Sequence, residues 1–81
     1  MYDLMSYVIR GRVRLSILNV LDKPSTPTKI AEQLKNHRST ISRSLLDMEK
    51  KGLVKCLTPK EKTGRLYILT KKGKEVLNNV K

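Results

Sequence analysis

The sequence predicts a mainly α fold with one small antiparallel β-hairpin (α+β), and three observations predict it. Apolar residues recur at helical spacing through residues 4–21, 27–35, 38–51 and 71–80. Two runs of strand length, residues 53–57 and 65–70, flank a polar stretch that ends in Gly64. Pro24, Pro27 and Gly52 fall at the joints between these segments, where chain breakers belong.

Residues 4–21 read as helical, in one piece or two. Val13, Ile17, Val20 and Leu21 follow the i, i+4, i+7, i+8 rule, and Leu18 widens the stripe. Gly11 marks a bend or a close helix contact, because glycine costs about 1 kcal/mol inside a helix relative to alanine. Arg10, Arg12 and Arg14 are read as solvated, with phosphate contact the competing reading for the first two. Tyr2, Leu4, Met5, Tyr7, Val8 and Ile9 hold more apolar surface than a short lead-in requires. That surplus points to a second copy of the chain.

Residues 22–27 form a connection punctuated by two prolines. Thr26 then Pro27 is a good helix start, a capping hydroxyl followed by a residue whose missing N–H costs nothing there. This second helix buries Ile30, Ala31 and Leu34, and Lys35-Asn36-His37 separates it from the next. Two short helices joined by so short a turn make a helix-turn-helix arrangement. His37 stands at the N-cap of the third helix, where capping or solvation is its ordinary role.

The third helix, residues 38–51, organises the chain. It is closed by Gly52, the expected residue just past a helix end. Ile41, Leu45 and Met48 fall on one line, so that edge belongs to a core. The other side carries Ser39, Arg43, Leu46 and Lys50, flanked by Thr40, Ser42 and Asp47. Short hydroxyls around an arginine near a helix start suit the major groove of DNA. There, hydroxyls and backbone N–H groups reach phosphates and arginine forks onto guanine. A solvated face is the competing reading.

Beyond Gly52 the pattern turns to strands. The tip between them, residues 58–64, is made basic by Lys60, Lys62 and the adjoining Arg65, with Glu61 the one opposing charge. It is a nucleic-acid contact or a loop kept soluble by lysines. Periodicity does not say which face of the second strand is buried, because Leu66 and Ile68 alternate with Tyr67 and Leu69. Thr70 caps a last helix whose apolar side is Val76, Leu77 and Val80, and Gly73 weakens its first turn. No repeat, low-complexity segment or linker divides the 81 residues, so one unit is expected.

Composition narrows the function. Eighteen Lys and Arg against 7 Asp and Glu give a net charge of +11 and a pI near 10.2. Such a field favours a polyanion, nucleic acid first and an anionic membrane surface second. No apolar run reaches the ~20 residues of a spanning helix, and no signal-peptide pattern opens the chain. A cytoplasmic, nucleoid-associated location is expected, with no membrane partner. Cys56 and His37, each the only one of its kind, make neither a disulfide nor a zinc set. Cys56 is read as a small buried or half-buried apolar residue. No nucleophile–base pair can be assembled, so no enzyme and no cofactor are expected.

Four blocks carry a resemblance. Thr26-Pro-Thr-Lys-Ile-Ala-Glu-Gln-Leu34, His37-Arg-Ser-Thr-Ile-Ser-Arg-Ser-Leu45, Lys51-Gly-Leu-Val54 and Gly64-Arg-Leu-Tyr-Ile-Leu-Thr-Lys-Lys-Gly73 stand in the order of a winged helix-turn-helix domain. Across residues 12–75 the chain resembles prokaryotic transcriptional regulators, in particular small archaeal ones of the MarR/ArsR-like type. The resemblance implies a sequence-reading helix, 38–51, and a wing, 58–65, set on the backbone or minor groove of double-stranded DNA. Carried over by position, Arg38, Ser39, Thr40, Ser42 and Arg43 are the recognition set, and Lys60, Lys62 and Arg65 the wing set. Thr28 and Lys29, with His37, are expected on the DNA backbone. A homodimer through the N-terminal helix, with a possible contribution from the C-terminal one, is implied too.

The chain also departs from that pattern. Lys35-Asn36 replace a usual Gly and apolar residue, and Leu46 occupies an exposed position where a polar residue is common. Leu46 either meets a thymine methyl or is merely tolerated. The Cys-x-Cys metal signature and the long flanking helices of effector-binding members are missing, so neither metal nor small-molecule sensing is expected. A non-specific architectural DNA-binding protein is the alternative function. A protein-interaction module is a third, since fold does not dictate function.

Overall fold

The computed structural model describes residues 2–80, apart from the Tyr2 side chain. Its elements run α1 (Tyr2–Arg10), α2 (Arg12–Val20), α3 (Pro27–Leu34), α4 (Arg38–Lys50), β1 (Val54–Cys56), β2 (Tyr67–Leu69) and α5 (Lys71–Val80). The first helical stretch is thus two pieces. At Gly11 the backbone is extended, with φ −114° and ψ 105°, and α2 starts anew. Arg14 folds back across this break. Its guanidinium lies 3.9 Å from the centroid of the Tyr7 ring, and Nη1 donates to the Tyr7 carbonyl oxygen at 2.7 Å. Arg10 and Arg12 are exposed, but Arg14 is half-buried and holds α1 on α2, so the solvated reading fails for it.

Helices α3 and α4 end by the same device. After α4, Leu53 N–H donates to Met48 O at 2.9 Å and Gly52 N–H to Glu49 O at 3.0 Å. This is the Schellman pattern, with Gly52 in the left-handed region at φ 78°. After α3, Asn36 N–H donates to Ala31 O and Lys35 N–H to Glu32 O, but the left-handed position, φ 54°, is held by Lys35. A side chain there carries a steric cost that glycine avoids. Lys35→Gly is therefore expected to stabilise the chain by roughly 0.5–1 kcal/mol, net of the larger unfolded-state entropy of glycine. A urea melt of the two proteins measures it, and an unchanged or lower midpoint would contradict the account.

The two strands pair antiparallel in the register Val54↔Leu69, Lys55↔Ile68 and Cys56↔Tyr67. They are shorter than the apolar runs that contain them. Beyond Tyr67, Leu66 pairs with Leu57 by one bond only, and Leu66 N–H donates to the Thr58 hydroxyl at 3.0 Å. The face that periodicity left open is now decided: Tyr67 and Leu69 are buried, while Leu66 and Ile68 are half-buried. Tyr67 also pairs on its free side with Ser25, through bonds of 2.8 and 3.0 Å. The connection between α2 and α3, read as a loop, therefore supplies a third strand position to the sheet.

All elements close on one core. Ile17, Leu18 and Leu21 of the α2 region, Ile30 and Ala31 of α3, and Ile41, Leu45 and Met48 of α4 meet there. Val8, Leu53, Val54, Tyr67, Leu69, Val76 and Leu77 complete it. Cys56 is half-buried. Much of the α1 surplus is covered within the chain, since Leu4, Met5 and Tyr7 pack against this core. Among the described members of that group Ile9 is the one left widely exposed, at 59%, and the Tyr2 side chain lies outside the described residues. Among the described residues no helix is long and apolar enough to cross a membrane.

Candidate nucleic-acid interface

Burial of Ile41, Leu45 and Met48, each fully covered, fixes the rotation of α4 and turns its other side outward. Arg38, Ser39, Thr40 and Arg43 are exposed, and Ser42 is half-buried. No side chain caps the start of this helix. His37 sits at the N-cap in extended conformation without a side-chain bond, and its own N–H is taken by Asn36 Oδ1 at 2.8 Å. Of the two roles read for His37, capping or solvation, the side-chain cap is absent and the ring is exposed. By contrast, the Thr26 hydroxyl accepts from Lys29 N–H at the start of α3, and Thr70 Oγ accepts from Gly73 N–H at the start of α5. The positive end of α4 faces outward with no acidic residue in its first turn, a setting that suits an anion.

The hairpin tip is held in shape by its own bonds. Glu61 N–H donates to Thr58 O at 3.1 Å, and Arg65 Nε donates to Glu61 O at 2.6 Å. Arg65 therefore braces the tip with one edge of its guanidinium. Gly64, at φ 66°, makes the left-handed turn into β2. Lys60 and Lys62 are exposed on this tip.

The start of α3, the outer side of α4 and the hairpin tip meet in a cleft of about 270 Å³. Pro27 and Thr28 from α3, Arg38, Ser42 and Leu46 from α4, and Lys62 to Arg65 from the tip line it, with Tyr67 beneath. Burial pushes the Tyr67 hydroxyl up in pKa, against a hydrogen bond from Arg65 that lowers it. A second concavity runs along the α3–α4 turn, where Thr28 and Arg38 recur beside His37, Lys35 and Asn36. The structure thus brings Thr28, His37, Arg38, Ser42, Lys62 and Arg65 onto two adjoining hollows. Lys29, Ser39, Thr40, Arg43 and Lys60 are exposed but line neither. Sequence reasoning missed Pro27, Thr63 and Tyr67 as parts of the wall, and only the hydroxyl of Thr63 within a basic tip gave any signal.

A helix-turn-helix whose outer face is joined by a basic hairpin defines the class of this molecule. A winged helix-turn-helix family model matches residues 10–81, and the chain belongs to that family. Among solved structures, a MarR family transcription regulator superposes with a TM-score of 0.77 at 22% identity. That match covers 98% of this chain but 59% of the regulator, so the chain spans little more than half of that protein. No curated protein sequence gives a significant match.

Proposed function

We propose that this chain is a transcriptional regulator that reads specific double-stranded DNA, with α4 in the major groove and residues 58–65 on the adjacent backbone or minor groove. The observation that carries this reading is the shared cleft, which sets Arg38 and Ser42 of α4 opposite Lys62 and Arg65 of the tip. The uncapped start of α4 and the net charge of +11 support it, because both favour phosphate. Membership of the winged helix-turn-helix family and the likeness to a transcription regulator agree with it. Two copies bind a palindromic site, joined through α1, where Ile9 offers exposed apolar surface; α5, named beside it from the sequence, turns Val76 and Leu77 into the chain's own core and offers less. The protein acts in the cytoplasm, on the nucleoid.

Selection from random duplex DNA, read together with solution mass, tests the proposal. One palindromic motif and a dimeric mass are expected. No enrichment would make the protein architectural instead. If each subunit neutralises roughly four phosphates, log K falls with log salt at a slope of about −7. Within that site Arg43→Ala is expected to cost about 1–3 kcal/mol and to relax preference at one base position. Lys62→Ala is expected to weaken all sequences alike and to flatten the salt slope by about 1. If the Arg43 variant kept the parent motif, base reading by Arg43 would be wrong.

A further inference from the structure

Leu46 is 46% exposed on a helix side otherwise built of arginines, hydroxyls and charges. A single exposed leucine is ordinary on a protein surface. Its placement is what distinguishes this one. Leu46 follows Arg38 and Ser42 at steps of four, so the three form one stripe along α4, and all three line the cleft facing the tip. Eight residues of helix rise span about 12 Å, roughly three to four base-pair steps, so a helix laid along the groove carries Leu46 to within a few base pairs of Arg38 and closer still to Ser42. Whatever duplex surface Arg38 and Ser42 approach therefore lies within reach of Leu46 as well.

Leucine has neither donor nor acceptor, so against most base edges it would only strip water from polar groups. One major-groove feature differs: the C5-methyl of thymine is apolar. We infer that Leu46 is a specificity-determining residue that recognises the C5-methyl group of a pyrimidine. The inference rests on the DNA-reading assignment of α4 made above. It adds the chemistry of one base position, and it extends to cytosine methylated at C5, which presents the same group at the same place. Cytosine and uracil are disfavoured there because they leave the leucine side chain against a polar or empty edge.

The test starts from the site enriched by the full chain from random DNA. Each thymine is replaced in turn by deoxyuridine, which removes the methyl alone, and separately by cytosine or 5-methylcytosine paired with guanine. For the native chain, one thymine per half-site is expected to lose about three- to tenfold in affinity on conversion to deoxyuridine. At that position 5-methylcytosine should outbind cytosine by a similar factor. Leu46→Ala, and Leu46→Gln, which keeps the length but not the apolar character, should reduce both ratios to less than twofold. Both variants change an exposed side chain, and a thermal melt checks that they fold as the parent does. A methyl ratio that survives in both variants, or a site in which no thymine is methyl-sensitive, overturns the inference while leaving the regulator assignment intact. Selection without any enriched motif overturns that assignment and this inference with it.

Discussion

Gly73→Ala is expected to lower stability by roughly 3 kcal/mol, the upper part of the usual range for forcing an atom into a packed interior. Gly73 is buried in the first turn of α5, and a Cβ there would overlap the Leu53 carbonyl oxygen. It would also stand 3.1 Å from the Leu53 carbonyl carbon and 3.2 Å from Leu69 Cδ2. The obstacle is backbone on a strand entrance, not the far end of a flexible side chain. Yielding would break what holds the helix to the hairpin. Thr70 Oγ donates to Gly52 O at 2.6 Å and accepts from Gly73 N–H at 2.9 Å, while Thr70 N–H donates to Leu53 O at 3.1 Å. The sign makes the test sharp. Helix propensity alone would favour the alanine variant by about 1 kcal/mol. A urea melt with a raised midpoint would therefore show that α5 does not rest on Leu53 as described.

Leu45→Ala is expected to cost about 2–5 kcal/mol, the range for emptying a fully buried leucine site. Leu45 is completely covered between Ile41 and Met48, and the same cluster holds α2, α3 and the strands. A chain of 81 residues has a total stability of roughly 4–12 kcal/mol, so this single change removes a large part of it. The next residue provides the control. Leu46→Ala lies on the exposed side of the same turn and is expected to stay within about 0.5 kcal/mol of the parent. Denaturant midpoints of the two variants decide the rotation of α4 about its axis. Equal losses, or a larger loss at Leu46, would mean that α4 turns a different side to the core than Ile41, Leu45 and Met48.

The stripe on α4 was legible because a helix repeats every 3.6 residues, and Ile41, Leu45 and Met48 betray that repeat without reference to any other segment. The caps at Thr26 and Thr70 and the stop at Gly52 were legible for a similar reason, being reached within three to five residues of chain. Other features had no such local signature. Gly73 looked like a weakness in α5 until the Leu53 carbonyl was seen against it. Arg14 looked solvated because its partner, the Tyr7 ring, lies across a helix break whose angle no spacing predicts. Lys51 Nζ, 5.3 Å from the centroid of that ring, links the end of α4 to α1 in the same way. The Tyr7 hydroxyl, buried and without a hydrogen-bond partner among the described residues, is also invisible in sequence.

The candidate site divides along the same line. Residue types alone marked α4 and the tip as basic and hydroxyl-rich, and the net charge of +11 set the expectation of a polyanionic partner. That Thr28, Arg38, Ser42, Leu46, Lys62 and Arg65 share one cleft came from the packing of three elements far apart in the chain. By itself the sequence determined the starts of α3 and α5, the end of α4 and which helix sides face inward, since each depends on neighbours a few residues away, and the sign of the surface field, which is a sum over residue types. The tertiary structure alone decided the buried side of β2, the Ser25–Tyr67 pairing and the meeting of tip with helix, because bonds between distant segments leave no periodic trace in the residues that make them.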